Sequence, residues 1–192
     1  MRRNREFRPD KFGTNVINKL YLTSKQRRAF LKWGLYALLL VVLSVMQDVT
    51  FSQLRFFGAA TDLVPCGIFL ICVMEGAENG CVFTLIASWL YLYTGTAPGA
   101  YCIVFITGYG ICVSILRQAY LQKGFGAALL CVALCLLAYE MSVFGIGLFL
   151  GLTGTGRAVS FLTTVGMTIP AILILYPIVY WIQSIGGETW RE

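Results

Sequence analysis

After Phe30 the chain is a succession of apolar runs cut by charges, Gly and Pro. A helix that crosses a bilayer takes about 20 mainly apolar residues, and measured against that length the runs predict six helices. The first covers residues 30–46, with Lys32 placed to snorkel and Trp33 and Tyr36 placed as interfacial anchors. It ends at Gln47 and Asp48. The second and third, residues 63–74 and 80–93, are separated only by Glu75-Gly76-Ala77-Glu78-Asn79. Residues 63–74 are too few to cross alone. This run either extends back through Phe56 and Phe57, burying Asp62 against protein, or forms a tight helical hairpin with its neighbour inside a bundle. The fourth helix, residues 101–116, follows a turn at Gly95, Thr96, Ala97, Pro98 and Gly99, where Pro and Gly interrupt regular hydrogen bonding; Arg117 and Lys123 close it. The fifth runs from 125 to about 152 and carries Glu140 near its middle, and the sixth covers 158–185, with Pro170 and Pro177 placed to kink it. No heptad, low-complexity tract or repeat of fixed period is visible.

Composition turns six apolar helices into a membrane protein. Of the 192 residues 58% are hydrophobic and 12% charged, against roughly 45–50% and about 25% in soluble domains. The net charge of +6 is not spread evenly, because two-thirds of the 15 Lys and Arg lie before Trp33. A nucleic-acid surface is therefore not expected. Cations resist crossing a bilayer, so this end is expected to stay cytoplasmic. A secretory signal would have a shorter basic region and a small-residue cleavage site, so the first helix is expected to be retained. Six crossings return the C-terminus to the cytoplasm and leave only Arg55 and Arg157 facing outward. The expected architecture is an all-α membrane protein, a six-helix transmembrane bundle with both termini cytoplasmic: a basic arm at residues 1–29, the transmembrane domain at 30–185, and a short tail at 186–192. The arm reads either as a solvated topogenic tail or as a surface helix on anionic lipid, since Val16-Ile17 and Leu20-Tyr21-Leu22 punctuate its charges.

Candidate chemistry is sparse. There is no His, which removes imidazole acid/base chemistry and the commonest metal ligand. The seven Cys fall within or beside apolar runs, and their odd count argues against a disulfide framework. Cys131 and Cys135 share a helix face, yet no further thiol on that helix completes a metal site, so neither metal nor cofactor is expected. Glu140 costs several kcal/mol in a bilayer unless it is protonated, paired or wetted, so it should face the bundle interior. There it serves either as a structural group bonded to Tyr or Ser, or as a proton or cation site or a contact to a partner helix. Gly108, Gly110, Gly124, Gly126, Gly145, Gly147, Gly151, Gly154, Gly156 and Gly166 read as packing positions, where small residues let backbones approach. The Gly151–Gly156 stretch looks superficially like a phosphate cradle, without the strand and the Gly-Lys-Ser/Thr that a P-loop requires. No GxSxG, HExxH or nucleophile with a base beside it occurs, so an enzyme is not expected.

One ordered set of residues resembles a known family. Val45-Met46-Gln47-Asp48 is followed by Gly58 and then by Thr61-Asp62-Leu63. The residues of 90–99 read Leu-Tyr-Leu-Tyr-Thr-Gly-Thr-Ala-Pro-Gly, Gly108-Tyr109-Gly110 lies on the next helix, and Ile169-Pro170 and Tyr176-Pro177 lie near the end. The pattern is similar to that of the rod shape-determining protein MreD family, in which a helix ends in Leu-Gln, Pro-Asp-Leu opens the second helix and a Gly turn precedes the fourth. Thr61 stands here for the family's Pro, and Tyr91 for an acidic residue of the third helix. The resemblance implies a six-helix scaffold of the bacterial elongation complex, without cofactor, acting with MreC, the actin-like MreB and cell-wall synthases. It marks Gln47, Asp62, Gly95, Pro98, Gly99, Gly108 and, from its cost alone, Glu140 as candidate structural or partner-binding residues. The alternative is a vitamin-binding component of an energy-coupling-factor transporter, to which the fold is related. The Ala-x-x-x-Ala docking surface of that class is absent from the first helix, whose alanines are Ala29 and Ala37.

Overall fold

A computed structural model describes residues 24–51, 61–95, 97–120 and 124–185. Among these residues there are six α-helices and no strand: α1 Ser24–Met46, α2 Leu63–Glu75, α3 Ala77–Tyr93, α4 Tyr101–Tyr120, α5 Phe125–Phe149 and α6 Ala158–Ile185. A π-helical turn, Gln47–Phe51, continues α1, and a 3₁₀ turn, Thr155–Arg157, leads into α6. Three stretches are long and apolar enough to cross a membrane, Gln26–Val49, Phe125–Phe149 and Thr155–Ile185. The basic arm before Ser24, the Gly58 link and the tail after Ile185 lie outside the described residues.

The architecture is organised around α2. This helix is apolar all round, and a helix without a polar face has to be enclosed. Every residue from Leu63 to Met74 is buried, and α1, α3, α4, α5 and α6 all pack against it. Pro65 fits in its first turn, where a missing N–H costs nothing. Gly67 lets α1 cross closely, since a Cβ there would come 2.7 Å from Leu43 Cδ1. The outer faces of the surrounding helices carry Phe30, Leu38, Val82, Ile86, Phe149, Ile174 and Trp181 exposed. Buried side chains therefore face α2 while large apolar ones face outward, the arrangement expected where hydrocarbon surrounds the protein.

Several boundaries differ from expectation for local reasons. The first helix begins at Ser24 rather than at residue 30 and so includes the end of the basic arm. The third begins at Ala77 rather than at residue 80, leaving Gly76 alone between α2 and α3. Residues 63–74 form a tight hairpin with α3, and Asp62 before them is held against protein as the other alternative expected, while Phe56 and Phe57 lie outside the described residues. Gly76 has φ +88°, a left-handed conformation that glycine adopts at no steric cost, and its N–H donates to Cys72 O at 3.3 Å. Helix α5 ends at Phe149 rather than near residue 152, because the glycine-rich stretch caps it: Gly151 has φ +69°, and the N–H groups of Gly151 and Leu152 bond back to Leu148 O and Gly147 O. Helix α6 continues past both Pro170 and Pro177.

The glycines divide into two groups. A Cβ on Gly110 would collide with Thr84 Cγ2, so Gly110 sets the approach of α4 to α3, and one on Gly147 would lie 2.8 Å from Thr153 Oγ1. Gly108, Gly126, Gly145, Gly154, Gly156 and Gly166, expected as packing positions, would each meet open space. Gly110→Ala is accordingly expected to destabilise the bundle by about 1–3 kcal/mol through overpacking. Gly108→Ala should be neutral or slightly stabilising. Thermal unfolding of the two variants in the same detergent distinguishes them.

Candidate functional site at the two ends of the central helix

A helix leaves its first four N–H groups without intrahelical partners. In α2 all four are accounted for. Gln47, in the π-helical turn after α1, accepts with one Oε1 from the N–H of Leu63 at 3.0 Å and of Val64 at 3.1 Å. The N–H of Asp62 donates to Thr168 Oγ1 of α6 at 3.3 Å, and Pro65 has no N–H to satisfy. Asp62 sits at the cap position, yet its side chain makes no capping bond. Its carboxylate is held elsewhere: Gln47 Nε2 donates to Oδ1 at 3.0 Å, and Tyr91 of α3 donates its hydroxyl to Oδ1 at 3.1 Å and Oδ2 at 3.2 Å. Two of the sequence-expected residues, Gln47 and Asp62, therefore meet, and Tyr91 is joined to the same carboxylate.

Glu140, 5% exposed on α5, lies in the same region of the bundle, close to Asp62. Buried Tyr139 and Cys102 adjoin them. The turn residues occupy the same end of α3 but stand apart from the carboxylates. Gly95 takes φ +78°, Pro98 is exposed, and Gly99 O accepts from the N–H of Cys102 at 3.1 Å, opening α4. Gly108 is exposed on α4 and joins neither group.

The opposite end of α2 carries a second cluster that the sequence reading missed. Lys32 was expected to snorkel outward; it turns inward, and its Nζ lies 2.6 Å from Glu75 Oε2, with 7% and 1% of the two side chains exposed. Tyr36 was expected as an interfacial anchor; it is fully buried and donates its hydroxyl to Glu75 Oε1 at 2.6 Å. Trp33 is half-buried, packed against Phe83 with ring centroids 5.5 Å apart. The Arg117 guanidinium lies against Gly76, close enough to act on the charge of Glu75. Gln183 of α6 donates Nε2 to Met74 O at 2.6 Å, satisfying one of the carbonyls that the helix end leaves open. The available signals were the spacing of Lys32 and Tyr36 by one turn and a lone amide, Gln183, in an otherwise apolar run.

These groups tie the helices to one another through hydrogen bonds and an ion pair. Among the described residues no group of three or more Cys, Asp or Glu could hold a metal ion, and all seven Cys are free. Comparison of the chain with protein-family models, with curated proteins and with solved structures finds no match.

Removing one member of a buried ion pair strands the other, at a cost of about 3–5 kcal/mol. Glu75→Leu should therefore destabilise strongly, and adding Lys32→Met should recover most of the loss. Thermal or denaturant unfolding of the single and double variants checks this. Equal destabilisation by E75L alone and by the double variant would remove the pair from the account.

Proposed function

We propose that this chain is a multi-pass protein of a bacterial plasma membrane, crossing six times with both termini cytoplasmic, and that it is a non-catalytic scaffold of the cell-elongation machinery, like the MreD family it resembles. In this role it binds an MreC-like membrane-anchored protein and acts with MreB and cell-wall synthases in lateral peptidoglycan synthesis. Its basic arm meets anionic lipid.

The observation that carries the reading is the meeting of Gln47, Asp62 and Tyr91. In the resemblance these positions form an ordered pattern in sequence, at the end of the first helix, the start of the second and the acidic position of the third. Here they form one hydrogen-bonded set across three elements. Tyr91 supplies a hydroxyl donor to Asp62, so the chain keeps a polar link at this position without a second carboxylate. Three membrane-length helices, an apolar exterior and the cations before Trp33 support the crossing and its direction.

Purified in mild detergent with a co-expressed MreC-like single-pass protein, the chain is expected to co-purify with it. Absence of association together with tight binding of a vitamin-sized solute would replace this reading by the transport one. A cytoplasm-specific reporter fused after Glu192 is expected to be active, and an inactive fusion would mean an odd number of crossings.

A further inference from the structure

Asp62, partly buried before α2, and Glu140, 5% exposed on α5, lie close together in the bundle. No fixed cation among the described residues stands with them. Lys32 is bonded to Glu75 at the other end of α2, Arg117 lies beside that same glutamate, and Arg27, Arg28 and Arg157 are exposed. No hydrogen bond or ion pair reaches the Glu140 carboxylate among the described residues. Asp62 accepts from Gln47 and Tyr91 at Oδ1 and from Tyr91 again at Oδ2, so of the about four acceptor directions of a carboxylate one, on Oδ2, is left. Two buried hydroxyls nearby are unpaired as well. Tyr139, next to Glu140 on α5, is fully buried, with its ring packed on Phe69 of α2 at 6.2 Å between centroids. Its Oη lies beside Asp62, Tyr91 and Cys102 and completes no hydrogen bond. Thr61, the neighbour of Asp62 in the chain, is 5% exposed, and its Oγ1 is also without a partner.

We infer that Asp62 and Glu140 together bind one hard monovalent cation, sodium, with the Tyr139 hydroxyl oxygen as a neutral ligand and with Gln47 and Tyr91 orienting the Asp62 carboxylate. Carboxylates of like charge inside a protein are costly unless something of opposite charge joins them, and buried hydroxyls without partners are rare enough to need an occupant. A water molecule would satisfy the hydroxyls and leave the charges unopposed; a cation serves both. The ligand set selects its kind. Carboxylate and hydroxyl oxygens suit a hard ion, and the lone thiol of Cys102 is too little for a soft one. No third carboxylate joins the pair among the described residues, and the oxygens on hand fall short of the roughly six to eight that calcium takes. A singly charged ion matches both the charge and the ligands. The inference goes beyond the scaffold role and does not depend on it.

The test titrates the full, detergent-purified chain with sodium chloride against choline chloride at constant ionic strength. Binding of radioactive sodium to the wild type is expected to saturate at one ion per chain, and the unfolding temperature is expected to rise with sodium, as for any ligand of the folded state. Glu140→Gln and Asp62→Asn keep the side-chain shape and remove the charge. Each should weaken sodium binding about ten-fold or more, the size of effect that even outlying groups of a metal site produce. Tyr139→Phe keeps the packed ring and loses only the unpaired oxygen. It should fold as well as the wild type in choline and bind sodium several-fold more weakly, so the site is tested even where a carboxylate variant does not fold. Glu78→Gln, exposed at the start of α3, should bind as the wild type does. No sodium binding by the wild type, or binding unchanged in Y139F and in the carboxylate variants that fold, would overturn the inference. So would stabilisation by acid with no response to sodium, because a proton would then take the place of the cation. A sodium response that appears only in Arg55→Gln would also overturn it, because Arg55 would then be the counter-charge.

Discussion

The structure depends on enclosing a short helix of which every residue from Leu63 to Met74 is buried. Helix α2 is 13 residues long, about 20 Å, and it is wrapped by the other five. A helix end exposes unpaired N–H and C=O groups, and in an apolar interior each one left unpaired costs several kcal/mol. The surrounding elements therefore have to bring polar atoms to two particular places. Gln47 and Thr168 do so at the N-terminal end, and Gly76 and Gln183 at the C-terminal end.

That requirement explains why the polar side chains collect as they do. Gln47 takes two backbone donors and still has an amide N–H, which fixes Asp62; Tyr91 then completes the carboxylate from α3. At the other end the Lys32–Glu75 pair and the Tyr36 hydroxyl tie α1 to α2. A buried pair of this kind contributes little net stability compared with an apolar replacement of similar shape, but it fixes register. Sliding α1 by one turn, about 5.4 Å, would break a 2.6 Å contact and leave two charges unpaired. The two clusters thus set α1, α2, α3 and α6 against one another, while apolar packing supplies most of the binding between helices.

Helix positions were legible because charges, Gly and Pro interrupt the apolar runs, and the bounds of α6 agree with those expected from sequence. The shortness of residues 63–74 already pointed to enclosure or a hairpin. Direction was less legible. When a helix is apolar nearly all round, periodicity does not say which face is inward, and for that reason Tyr36 read as an interfacial anchor and Gly108 as a packing position. Lys32 was misread for a different reason: a lysine beside a membrane usually snorkels, and only the fold places Glu75 within its reach. Gln47 and Asp62 were legible as a pattern, but the chemistry joining them, a side chain capping a helix that starts 16 residues later, depends on how the chain returns.

The most direct measurement is site-resolved hydrogen exchange of the Leu63 and Val64 amides, comparing wild type with Gln47→Leu. First-turn amides normally lack an intrahelical partner, so protection there reports the Gln47 cap. The account predicts that both amides are protected in the wild type and lose that protection in Q47L, while the amides in the middle of α2 remain slow. Fast exchange of Leu63 and Val64 in the wild type, or protection unchanged by the substitution, would contradict it.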